Sequence, residues 1–143
     1  MITLYSLQAP GHDIRGNHPP LNEYGPRGAY EDISKYLKWD SWVWAFPELE
    51  DFVNEWLVLE KMRKADLWAL SIPRTFIRWC ALSLQCENVA PIETWFFQDP
   101  ESVRAAGDIP EALIKAPVNT QWVLWVRPAK EALIEAGLLK EEL

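Results

Sequence analysis

The run WDSWVWAFPELEDFVNEWLVLEKM, Trp39 to Met62, constrains this chain more than any other stretch. It joins a short tryptophan-rich apolar segment to a strongly amphipathic one, so the fold must supply a hydrophobic layer for it to cover. Pro47 suits the first helical position, where its missing N–H would have no partner in any case. Glu48, Glu50 and Asp51 then set negative charge on the positive end of the helix dipole. Leu49, Phe52, Val53, Trp56 and Leu57 follow the i, i+3, i+4, i+7, i+8 spacing that places them on one stripe. Asp51, Asn54, Glu55 and Lys61 fall off that stripe, and Glu60 and Lys64 are spaced to pair. The pattern predicts a long amphipathic core helix over about 47–64.

The chain has 143 residues, a length that fits a single globular domain, 1–143. With 49% apolar and 13% aromatic residues it can bury a core. Its formal charge is −7, from 14 Lys and Arg against 21 Asp and Glu. Phosphate backbones repel such a chain unless its cations cluster, so no direct nucleic-acid contact is expected. A protein partner with a basic surface suits this charge. The first residues, MITLYSLQAPGHD, carry neither a basic segment nor an apolar one, so no signal peptide is expected. No run approaches the roughly 18 apolar residues of a membrane span. Cys80 and Cys86 read as two buried free thiols, and the expected location is cytoplasmic.

Along the chain, Ile2–Ser6 alternates and reads as a strand. Residues 8–28 form a Gly/Pro-rich loop that holds both histidines, His12 and His18, and the cations Arg15 and Arg27. A loop of that length in a compact domain is usually functional or disordered, which makes it the first candidate site. Residues 29–39 fit a helix with Tyr30, Ile33, Tyr36 and Leu37 on one face, and 41–46 fit either a strand or the approach to the main helix. A local unit then recurs three times: a short aromatic and aliphatic run, a proline, and a helix-compatible stretch. The runs are LWALSI (67–72), TWFFQ (94–98) and WVLWVR (122–127), followed by Pro73, Pro100 and Pro128. Gly107 and Gly137 sit where left-handed C-caps belong, and Pro110–Ala116 reads as a further short helix capped by Asp108. Residues 73–86 fit a helix face and a strand face equally well. The fold class is α+β: one small mixed sheet of four or five short strands, with the 47–64 helix packed on it and a C-terminal helix. WVLWV reads apolar on both sides, which implies burial on both faces or an exposed aromatic patch.

No dinucleotide, phosphate-loop, paired-cysteine, zinc-protease or nucleophile-elbow motif occurs. His12, His18 and Asp13 have no fixed geometry in a loop, so no metal and no cofactor is expected. The carboxylates at Glu131, Glu135, Glu141 and Glu142 pattern as solvated helical faces rather than as a catalytic pair. The nine tryptophans need explaining, because Trp is enriched at interfaces as well as in cores. Trp39, Trp42 and Trp44 are near neighbours. They are the expected partner-binding anchors, assisted by Arg15, His18 and Arg27 from the loop and by Glu48 and Asp51 at the helix start.

In size, acidity and tryptophan content, with no catalytic signature, the chain resembles small bacteriophage proteins that redirect host machinery. It is similar in particular to the transcription inhibitors of phages infecting thermophiles; low Asn and Gln, eleven prolines and a Glu/Lys/Leu-rich end fit a heat-loving host. That resemblance implies a non-catalytic domain that binds bacterial RNA polymerase. A more distant likeness, carried by LYS near the start, LWALSIP and QWVLWV, is to small ADP-ribosyltransferase folds. Those enzymes hold a catalytic glutamate at the start of a late strand. Here that place holds Gln121, with Glu93 before TWFFQ as the other candidate. Inhibition of a bacterial defence nuclease would suit the same acidic character.

Overall fold

Alternation at the N-terminus does build a strand, β1 (Ile2–Gln8), with Leu4 facing one side and Tyr5 and Leu7 the other. The computed structural model describes residues 1–15, 30–53, 64–81 and 91–140. Within them the chain continues as α1 (Tyr30–Leu37), β2 (Trp42–Ala45), α2 (Glu50–Val53), β3 (Asp66–Ile72), β4 (Ile77–Ala81) and β5 (Phe96–Phe97). It ends as α3 (Pro100–Ala105), β6 (Pro110–Lys115), β7 (Val123–Pro128) and α4 (Ala129–Glu135).

The α+β class is as expected, but the strands form two sheets and every pairing is antiparallel. One sheet has the order β1-β3-β7, the other β2-β6-β4-β5. A single mixed sheet is therefore ruled out for the described strands. The reason lies in burial: all four residues of β2 and the first five of β6 are buried, so these strands have protein on both faces. One face of each sheet meets the other sheet in a shared core of Leu4, Val43, Trp68, Leu70, Ile72, Ile77, Trp79 and Ile114. The far face of the three-stranded sheet is covered by α2 and α4 through Phe52, Ala132 and Leu133. The far face of the other sheet carries Trp42, Trp44, Cys80 and Leu113, packed with Ile33 and Trp39 and with Trp95 from the 3-10 turn at 92–95.

Besides the shared core, hydrogen bonds at a seam join the two sheets. Tyr5 and Phe46 exchange both backbone hydrogen bonds at 2.8 Å, and the Ser6 hydroxyl donates to the Trp44 carbonyl at 2.6 Å.

The expected helix at Pro110–Ala116 is instead strand β6. Ala112 and Ile114 point to the inter-sheet core while Leu113 points the other way, so a central strand buried on both faces shows no alternation in its sequence. Pro110 is tolerated because it opens the strand. The 73–86 ambiguity resolves as a 3-10 turn at Arg74–Phe76 leading into β4, with 82–90 outside the described residues. Of the expected 47–64 helix, Glu50–Val53 is helical, beginning three residues after Pro47; 47–49 and Lys64 are described outside any helix, and 54–63, with Trp56, lie outside the described residues. The C-terminal helix is present. Gly107 and Gly137 take φ of 82° and 75°, and the Gly137 and Leu138 amides close on Ile134 and Leu133, as left-handed caps require. No helix among the described residues is long and apolar enough to cross a membrane.

Candidate functional site

The structure places the three expected anchors inside. Trp39, Trp42 and Trp44 are all buried in the layer under α1, with Trp42 edge-on to Trp44 at 6.0 Å between centroids. They have no free face for a partner in this conformation. Alternation puts Trp42 and Trp44 on one side of β2, as the sequence suggests, but that side is roofed by helix rather than by solvent.

Asp51 is also interior, 2% exposed, and is held by Arg104 of α3 through two hydrogen bonds of 3.0 and 3.3 Å. Its role is structural. Glu48 is exposed and lies on the wall of a cleft. Arg15 is exposed, chelates its neighbour Asp13 at 2.9 Å, and sets its guanidinium 5.2 Å above the Trp68 ring. That pairing holds the Asp13 carboxyl below the usual carboxylate range. His18 and Arg27 lie outside the described residues. The expected constellation is thus not assembled by the described part of the fold. No group of three or more His, Cys, Asp or Glu able to hold a metal occurs among the described residues.

Three other features emerge from the packing. The first is the free edge of the three-stranded sheet. Strand β7 pairs with β3 only, among the described residues, and its register slips between Ala69 and Leu70, leaving Leu124 with no residue opposite. Leu124 is 54% and Val126 40% exposed; Phe76, 37% exposed, leans on Trp122 at 4.9 Å beside them. Of the eight described tryptophans, Trp122 and Trp125 alone are half-buried, and both flank this edge. Arg127, its one cation, is bonded to Glu131 and Glu135 of α4. The sequence signal was already there, since WVLWV reads apolar on both sides.

The second is Glu111, a carboxylate only 1% exposed, on β6. It faces the same side as Leu113 and lies directly across from Cys80, whose thiol is pushed well above its usual range by burial first and by Glu111 second. Its strand position is one residue beyond the Ala45–Ala112 pair, at the end of β2 nearest the Tyr5–Phe46 seam. Nothing in the sequence marks it, because a strand buried on both faces lacks the period of two that would set Glu111 apart from a helical position. Glu93 and Gln121, the positions suggested by the transferase likeness, are both exposed in 3-10 turns.

The third is a cleft of about 620 Å³ where β1 of one sheet faces β4 and β5 of the other. Protein-family models, curated proteins and solved structures alike return no match to this chain.

Proposed function

We propose that this chain is a non-catalytic, acidic protein-binding domain that modulates a nucleic-acid machine, with bacterial RNA polymerase the first partner to test. The observation that carries the reading is the β7 edge, a strand whose outer backbone edge has no strand partner among the described residues, with exposed Leu124, Val126 and Phe76. Proteins normally blunt such an edge with charge, and here the one cation of β7, Arg127, is neutralised by Glu131 and Glu135. An extended segment of a partner can add to that edge, its main chain supplying affinity and the apolar side chains register. The net charge of −7 favours a basic partner and steers its approach. Titrating immobilised polymerase with the chain at low and high salt should give binding whose on-rate falls with salt. Leu124→Glu should weaken it by about 2 kcal/mol, roughly thirty-fold, with the melting temperature little changed. Absence of polymerase binding would remove that partner; undiminished binding by Leu124→Glu would remove the surface.

A second reading rests on Glu111. A buried carboxylate near the start of a late strand, beside the seam between the two sheets, suits the transferase likeness better than Glu93 or Gln121 does. Incubation with labelled NAD should then release nicotinamide, and Glu111→Gln should abolish release while the chain stays folded. No release from the wild-type chain excludes this reading.

A further inference from the structure

We propose that the cleft between β1 and β4–β5 receives an extended segment of the basic partner. An apolar side chain of that segment lies on the floor, and a lysine or arginine two residues on reaches the rim. An extended chain sets such a pair on one side. This rests on the reading of the chain as the binder of a basic protein, and adds a second contact to the β7 edge. The floor is apolar and drawn from both sheets. Ile77 and Trp79 of β4 belong to the inter-sheet core, and Ile2 of β1 and Phe97 of β5 pack against that core. Trp79 and Phe97 are register partners, so their side chains lie on one face. The volume, about 620 Å³, falls in the range of sites that enclose small ligands.

Charge decides the occupant. Arg78 takes no part: in register with Leu113, it sits on the face of β4 opposite Ile77 and Trp79, its guanidinium 6.0 Å over the Trp39 ring. Arg104 lines the cleft, but buried Asp51 holds it through two hydrogen bonds. That contact raises the Arg104 pKa first, and the charges of Glu48 and Glu50 add to it, so Glu48 stands near α3. Glu101 is one turn from Arg104 on the same helix. Glu48 and Glu101 are both exposed, and among the described residues no cation is bonded to either. Asp99, which caps α3, is held below the usual carboxylate range by hydrogen bonds from Ser102 and stays ionised. Three carboxylates therefore face one uncompensated side-chain cation, Arg74. A rim of that sign over an apolar floor fits a cation carried on an apolar segment and turns an anion away. The cleft also adjoins the β7 surface. Arg74 and Phe76 share one 3-10 turn; Phe76 leans on Trp122, while Arg74 lines the cleft.

The full chain is titrated calorimetrically with acetyl-Phe-Ala-Arg-amide. One control carries citrulline, the neutral isostere, in place of arginine; the other, acetyl-Ala-Ala-Arg-amide, lacks the apolar side chain. The first peptide should bind saturably and each control about five-fold or more weakly, the citrulline difference shrinking as salt rises. Changing Glu48→Gln and Glu101→Gln together should remove the preference for arginine over citrulline. Both side chains are exposed, so the melting temperature should hold. The same double variant should bind immobilised polymerase about five-fold or more weakly, whereas Leu124→Glu should leave the peptide affinities unchanged. Selective peptide binding without polymerase binding would remove polymerase as the partner and support the cleft assignment. Four results would overturn that assignment: equal affinity for the arginine and citrulline peptides, an unchanged preference in the double variant, no peptide binding at millimolar concentration, or undiminished polymerase binding by the double variant.

Discussion

Trp42→Ala is expected to destabilise the domain by about 3–5 kcal/mol, the range for removing a large aromatic side chain from a core. The indole is fully buried, meets Trp44 edge-on, and is enclosed by Ile33, Trp95 and Leu113, so little around it can collapse into the space. Chemical denaturation at equilibrium measures the loss, and a midpoint shift without a change in slope identifies it as stability. In whatever fraction remains folded, partner affinity should be unaltered. A stability loss below about 1 kcal/mol would mean that the ring is not in the core at all.

The second large effect is at the Asp51–Arg104 pair, and it is asymmetric. Arg104→Ala should cost about 3 kcal/mol, because it strands a carboxylate that is 2% exposed. That lies at the low end of the range for a broken buried pair, since the arginine itself is 43% exposed and water already reaches it. Asp51→Ala should cost less: the freed guanidinium can turn into solvent, whereas the stranded carboxylate cannot. Denaturation of both single variants and the double variant separates the coupling from the desolvation of each group. If the two single variants lose stability equally, the burial asymmetry does not govern this pair.

Much of the element order was legible because local chemistry and tertiary packing agree. Alternation marks β1, the caps at Gly107 and Gly137 mark the ends of α3 and α4, and each apolar run before a proline is a strand or feeds one. Sheet number was not legible. Nothing in a single strand's residues states which other strand it joins, and β2, β3 and β6 are buried on both faces, which erases the period of two that would have marked them. That same erasure lets Pro110–Ala116 fit a helix as well as a strand, and leaves Glu111 unmarked. The site expectation failed at the tryptophans for a related reason. Clustering along the sequence says that Trp39, Trp42 and Trp44 share a neighbourhood, but not whether that neighbourhood is roofed, and α1 roofs it. The apolar character of WVLWV left burial on both faces and an exposed aromatic patch open; in the fold Leu124 and Val126 are exposed and the two tryptophans half-buried, so the exposed part is aliphatic.

Strand neighbours in these sheets are distant along the chain, and this governs the kinetics of assembly. Ile2 meets Ile72, Trp42 meets Lys115 and Asp66 meets Pro128. Each pairing closes a long loop before any contact energy is returned, so folding should be slow for a domain of this size. On the ribosome β1 must wait for β3, and β2 for β6. The four-stranded sheet has no centre until Lys115 has emerged. Until then β2 and β4 carry open backbone edges on largely apolar strands, the condition in which nascent chains associate with one another. Completion therefore comes from the C-terminal side, and a chain halted before β6 is an aggregating species rather than a smaller domain.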